Sequence, residues 1–216
     1  MTNDPYEAKK EILMKAFRSC KCWKLPPGDY FEFGLYQGFS FINAYKMAEV
    51  FGHGHMRFYG FDSFKGLPAD FVRSEKEMDR FEAGQFSCTE EAFRKKLEEA
   101  AVDQNRVTLI PGFYENSLNA EAKKEIGPAR ASVVWIDCDI YSSAMLALEF
   151  MTDFLGNGSF LIFDDWFSFG AMPGAGEMAA TEDWLKKHPE IRLVEYHKFH
   201  TAGISFLVQK REKGAC

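Results

Sequence analysis

The chain has 216 residues, and at roughly 150 residues per domain that length accommodates one α/β domain. Its 26 Lys and Arg against 32 Asp and Glu leave a formal charge of −6, which argues against a surface built to neutralise nucleic-acid phosphates or anionic lipid. A hydrophobic content of 46% with 22 Phe is ample for a core and excludes global disorder.

Five cysteines, at positions 20, 22, 88, 138 and 216, are an odd number without a CxxC pair. A disulfide framework and a zinc site are both disfavoured by that pattern, and a reducing compartment is expected. Residues 1–5 are polar and lead into a charged amphipathic segment with no apolar stretch. Neither a signal peptide nor a membrane span is expected, and cytoplasmic residence follows as the default.

In chain order, apolar periodicity predicts a helix over 4–19, with Ile12, Leu13, Ala16 and Phe17 on one stripe, ended by Pro26-Pro27-Gly28. A first strand follows over 29–33, a helix over 40–51 and a second strand over 57–61 that ends at Asp62. Residues 63–88 read as irregular, and a loop of that length is more often a functional lid than a plain connection. A helix over 89–101 opens on Thr89 and the acids Glu90 and Glu91, an N-terminal signature. A third strand is predicted over 107–110, closed by Pro111-Gly112, then a polar helix over 118–126 and the most strand-like run, 132–136. A helix over 142–155 stops at Gly156-Asn157-Gly158, and a fifth strand over 159–163 leads to Asp164-Asp165. After a Gly-rich loop (169–176) come a helix to His188 and two strands, 191–196 and 203–209, close enough for an antiparallel hairpin. Alternating helices and short apolar strands predict a parallel sheet covered on both faces.

Acids recur at the carboxyl ends of these strands: Glu32, Asp62, Asp137, Asp139, Asp164 and Asp165. Any one of them is explained as a turn or helix-cap residue. The whole set on one sheet edge points to a ligand site, because open α/β sheets bind ligands there. The first strand runs into Glu32-Phe-Gly34-x-x-x-Gly38, a glycine loop that lacks the GxGxxG dinucleotide fingerprint. An acid before the first Gly suits an amino or sulfonium group better than a phosphate. Asp62 is placed to accept hydrogen bonds from a ribose diol.

Glu32-Phe-Gly-x-x-x-Gly38, Tyr59-Gly-Phe-Asp-Ser-Phe-Lys-Gly-Leu-Pro68, Ile136-Asp-Cys-Asp-Ile-Tyr141 and Phe163-Asp-Asp-Trp166 resemble, in order and spacing, the successive motifs of the macrocin O-methyltransferase (TylF/MycF/NovP-like) family. That resemblance implies a Rossmann-like class I methyltransferase fold: a seven-stranded sheet, six strands parallel and the last antiparallel, with helices on both faces. It implies a single S-adenosylmethionine-dependent domain over 1–216, with 1–28 as an N-terminal helical segment; whether the long loops 63–88 and 166–176 act as lids is left open. By similarity, Glu32, Gly34, Gly38 and Ser40 would surround the methionine end of S-adenosylmethionine, with Asp137 also at the cofactor. Asp62 would hold the ribose hydroxyls, Ser63 and Phe64 would lie at the adenosine side, and Gly112-Phe113 at the adenine. Asp137, Asp164 and Asp165 match the family's metal-binding carboxylates, and Asp139 its general base. The chain is shorter than the macrolide-sugar enzymes of the family, particularly at the N-terminus, where those enzymes build part of their acceptor recognition.

The chemistry of the residues agrees. Three carboxylates are hard oxygen ligands that suit Mg²⁺. A sulfonium methyl is already activated, so the protein must mainly supply an aligned, partly deprotonated hydroxyl. The reading is therefore a Mg²⁺-dependent O-methyltransferase acting on a small hydroxylated acceptor, a sugar hydroxyl on a natural product, with a homodimer left open. Alternatives are a catechol-type O-methyltransferase, a metal-dependent phosphate-ester hydrolase and a non-catalytic nucleoside-binding module. Against the hydrolase, no Lys, Arg or phosphate-cradling loop accompanies the acids in sequence. His53, His55, His197 and His200 read as solvated loop residues rather than ligands. Cys138 reads as a small buried side chain. Trp166, Phe167 and Phe169 read either as core or as a cover over an acceptor ring.

Overall fold

The computed structural model describes residues 4–69 and 81–211. Helix α1 (Pro5–Cys22) starts where the Asp4 carboxylate accepts the Tyr6 N–H at 2.9 Å and Pro5 takes the first helical position, a pairing that satisfies one open helix donor without wasting another. Its buried stripe is the predicted one, Ile12, Leu13, Ala16 and Phe17. Then follow β1 (Asp29–Phe33), α2 (Phe39–Phe51), β2 (Phe58–Asp62), α3 (Glu90–Glu99) and β3 (Val107–Pro111). The second half holds α4 (Tyr114–Ser117), α5 (Ala120–Ile126), β4 (Ala131–Ile136), α6 (Tyr141–Met151) and β5 (Phe160–Phe163). It closes with α7 (Gly176–Lys187), β6 (Ile191–Phe199) and β7 (Gly203–Lys210).

The strands form one seven-stranded sheet in the order β3-β2-β1-β4-β5-β7-β6. All neighbours are parallel except β7, which runs antiparallel to both β5 and β6. The expected architecture is therefore present. Strand order reverses between β1 and β4, so a crevice opens above their carboxyl ends, where ligands of open α/β sheets bind.

Side chains alternate across the sheet. Phe31, Phe33, Phe61, Ile136 and Phe163 join one core with Ala144, Leu148 and Trp184 from α6 and α7. Tyr30, Phe58, Val133, Trp135 and Phe160 join the other with Phe17, Phe41 and Phe93 from α1, α2 and α3. At roughly 1.5–3 kcal/mol for each fully buried large side chain, these two layers fix the sheet edge on which the acids stand. Most of the Phe excess is thus core. Trp166 and Phe167, partly buried, pack against the first core and Phe169 is buried, as the packing alternative expects.

Several boundaries differ from expectation, among them the end of α1, which runs to Cys22 and not to 19. The helix predicted over 118–126 starts at Ala120, because Asn119 caps it, its side-chain oxygen accepting the Ala122 N–H at 2.9 Å, and the short helix α4 before it, Tyr114–Ser117, was not predicted. The helix predicted to 155 ends at Met151, and Phe154 and Leu155 are buried in the following turn. Strand β6 runs to Phe199 rather than 196, since polar residues are tolerated on the outer face of an edge strand.

Candidate active site

A cavity of about 340 Å³ lies at the carboxyl edge of the sheet, a size in the range of small-molecule sites. Of the residues expected at the cofactor, Gly34, Asp62, Ser63, Phe113 and Asp137 line it, and so do Asp139, Asp164 and Asp165. Glu32, Gly38, Ser40, Phe64 and Gly112 stand outside its described lining.

Gly34 (φ +86°) sets the crevice width. A Cβ there would meet the Asp137 carbonyl oxygen at 1.8 Å, so the β1 and β4 exits approach as closely as they do only because the residue is glycine. Gly38, also left-handed at φ +80°, precedes α2 instead of touching the cavity. Gly112 (φ +129°) makes the turn after β3, its N–H donating to the Asp62 carbonyl at 2.9 Å.

Asp62 ties two loops together. One carboxylate oxygen accepts the Leu35 N–H at 2.7 Å and the Tyr36 N–H at 3.3 Å, and the other accepts the Phe64 N–H at 2.6 Å. Since a carboxylate has about four acceptor positions, capacity remains toward the cavity for a hydroxyl donor. Burial raises its pKa and the three backbone donors oppose that rise.

Glu32 is wholly buried. It accepts hydrogen bonds from the Tyr30 hydroxyl and, at 2.5 Å, from the Ser40 hydroxyl. Burial pushes its pKa up to about 8, against the lowering effect of both hydroxyls. Its contact with Ser40 joins β1 to α2 behind the glycine loop.

The acids beyond β4 and β5 do converge. One oxygen each from Asp137, Asp164 and Asp165 lies within 4.8 Å of the others. Burial, then the charge of Asp164, raises Asp137; burial, then Asp165 and Asp164, raises Asp139. Asp139 itself adopts φ +59°, a left-handed conformation that Asp tolerates better than most residues. Carboxylates crowded in this way repel one another until a cation neutralises them. The three-oxygen set and its crowding therefore fit a hard divalent cation such as Mg²⁺.

Three residues at the cluster escaped the sequence reading. Lys9 of α1 puts its ammonium 2.7 Å from Asp164 Oδ2 and 3.6 Å from Asp137 Oδ2. Burial works to lower its pKa, but Asp137 and Asp164 hold it above the usual lysine range. The expectation that no Lys accompanies the acids is thus corrected: α1 brings one from a distant part of the chain. Glu177 of α7, fully buried, accepts the Cys138 N–H at 3.2 Å and the Asp165 N–H at 3.0 Å. It staples the β4 exit to the β5 exit. His200, expected as a solvated loop residue, places Nε2 3.2 Å from Asp164 Oδ1. His53, by contrast, bonds the Phe17 carbonyl through Nε2 at 3.1 Å. Cys138 is buried as expected.

The macrocin-O-methyltransferase (TylF) family profile matches residues 13–190, well over half of the chain. The chain is 30% identical over 144 residues, 65% of its own length, to the 8-demethyl-8-(2,3-dimethoxy-alpha-L-rhamnosyl)-tetracenomycin-C 4'-O-methyltransferase of Streptomyces olivaceus. It spans about half the length of that relative, 53%. In structure it is similar to the O-methyltransferase NovP, with a TM-score of 0.76 and 18% identity over 94% of this chain and 80% of that one. The calicheamicin methyltransferase CalS11 superposes with a TM-score of 0.68 at 19% identity, over 92% of this chain and 77% of that one. At such identities these two matches establish the fold. Together with the extent of the profile match, the conclusion is that this chain belongs to the macrocin-O-methyltransferase (TylF) family.

Proposed function

We propose that this chain is a Mg²⁺-dependent O-methyltransferase that moves the methyl group of S-adenosylmethionine to a hydroxyl of a small molecule, a sugar carried on a natural product. The observation that carries this reading is the pairing, across one cavity, of Asp62 with open acceptor capacity and the Asp137–Asp139–Asp164–Asp165 cluster. The first recognises a ribose and the second a cation and a proton. The tetracenomycin relative is by its name a sugar O-methyltransferase, which supports the acceptor class.

In this account Asp62 accepts the ribose hydroxyls, and Gly34 lets the methionine portion lie against the β1 exit. Ser63 and Phe113, both on the cavity wall, would lie at the adenosine. Asp137, Asp164 and Asp165 would hold Mg²⁺, which when bound supplies Lewis acidity toward the acceptor hydroxyls. Asp139 takes the proton as the hydroxyl oxygen attacks the sulfonium methyl in line, the methyl–sulfur bond breaking with its electron pair left on the sulfur of departing S-adenosylhomocysteine. The four cysteines among the described residues are free and no described helix is long and apolar enough to cross a membrane, so the cytoplasm is the compartment we propose.

The test is methyl transfer from isotopically labelled S-adenosylmethionine to a glycoside bearing a vicinal diol, read by mass spectrometry before and after chelation of divalent cations. Labelled methyl ether forms with Mg²⁺ and is lost on chelation. Transfer that survives chelation undiminished would remove the metal from the account.

A further inference from the structure

We propose that His200 is a positioning residue for Asp164: its hydrogen bond to one carboxylate oxygen fixes the orientation in which that carboxylate meets the cation site, and it is not itself a ligand. This inference rests on the metal reading above.

His200 stands in the turn between β6 and β7. His200 Nδ1 accepts the Ala202 N–H at 3.0 Å and the Gly203 N–H at 3.3 Å. An imidazole nitrogen facing two N–H donors must offer its lone pair to them, so the ring proton of the neutral side chain sits on Nε2. Nε2 then donates to Asp164 Oδ1 at 3.2 Å. A protonated nitrogen has no lone pair for a cation, which excludes His200 as a ligand in this tautomer. The other oxygen, Asp164 Oδ2, is the one that meets the Lys9 ammonium at 2.7 Å. Asp164 is thus held from opposite sides, by a neutral N–H on one oxygen and by positive charge on the other.

The turn is built to hold this ring. His200 has φ +35°, outside the range most side chains prefer. A Cβ at Gly203 would lie 2.4 Å from the Phe199 ring. Phe199, itself buried, meets the His200 ring edge-on at 4.6 Å and packs on Trp135 at 5.7 Å. His200 and Asp164 expose only 11% and 9% of their side chains, so little water competes for the bond. A hydrogen bond from an outer residue to a ligating carboxylate fixes its orientation, and losing such a partner commonly weakens metal binding roughly 10–100-fold.

The experiment is titration of the full chain with Mn²⁺, read by calorimetry, for the parent, His200→Leu and His200→Gln. Leu removes the donor, whereas the Gln amide N–H reaches close to where Nε2–H stands. His200→Leu is expected to bind Mn²⁺ roughly 10–100-fold more weakly, with His200→Gln recovering most of the loss, while S-adenosylmethionine affinity stays at the parent value in both. In the imidazole ¹⁵N spectrum, Nε2 stays protonated when Mg²⁺ is added. Equal Mn²⁺ affinity in all three proteins overturns the inference and leaves the metal reading intact. Gln no better than Leu, or loss of the Nε2 proton on adding Mg²⁺, also overturns it, the latter by making His200 a ligand. A parent that binds no Mn²⁺ overturns the metal reading and this inference with it.

Discussion

Asp139→Asn is expected to bind S-adenosylmethionine as tightly as the parent and to transfer methyl groups roughly 10²–10⁴-fold more slowly, the usual contribution of a positioned general base. The residue leaves β4 beside Asp137, lines the cavity and is pushed above the usual carboxylate range by burial and by Asp165 and Asp164. Asn keeps the size of Asp and its tolerance of the left-handed conformation found here at φ +59°, so the substitution removes proton acceptance while leaving the backbone in place. Single-turnover kinetics beside calorimetric binding separates the two effects. A variant that turns over within a few-fold of the parent would transfer the role of base to another group.

Gly34→Ala is expected to destabilise the protein by roughly 3 kcal/mol, which for a chain of this size lowers Tm by roughly 6–12 °C. The new methyl group would stand 1.8 Å from the Asp137 carbonyl oxygen, at φ +86°. The clash is with backbone, so no rotamer relieves it. Relief requires the β1 and β4 exits to part, and these carry the residues on both sides of the crevice. S-adenosylmethionine affinity is therefore expected to fall together with stability, whereas a Gly54→Ala control, whose added Cβ meets nothing within 4 Å, leaves both nearly unchanged. Melting curves and binding titrations on the two variants check this, and an undiminished Tm in Gly34→Ala would show that the exits are free to separate.

Much of this was legible in sequence because short-range patterns governed it. Uninterrupted apolar strands such as Val133-Val134-Trp135-Ile136 announced a sheet buried on both faces, and their acidic ends marked its ligand edge. Gly34 and Asp62 were readable for the same reason: each acts at the end of its own strand. What sequence concealed were residues that reach the site from other elements. Lys9 comes from α1, Glu177 from α7 and His200 from the final hairpin, and nothing in their local surroundings marks them as neighbours of Asp164 and Asp165. Glu32 stood in a legible motif, yet its burial between Tyr30 and Ser40 depends on how α2 packs on β1. Helix ends failed where capping outweighed periodicity, as at Asn119.

The crevice between β1 and β4 is the site proposed to take a sulfonium nucleoside. Calorimetric titration of the full chain with S-adenosylmethionine, with and without Mg²⁺, tests it most directly. Saturable binding to a single site per chain is predicted in both conditions, abolished or strongly weakened in Asp62→Ala, whose lost carboxylate is the proposed ribose acceptor. No heat of binding from the parent protein in either condition would contradict the account.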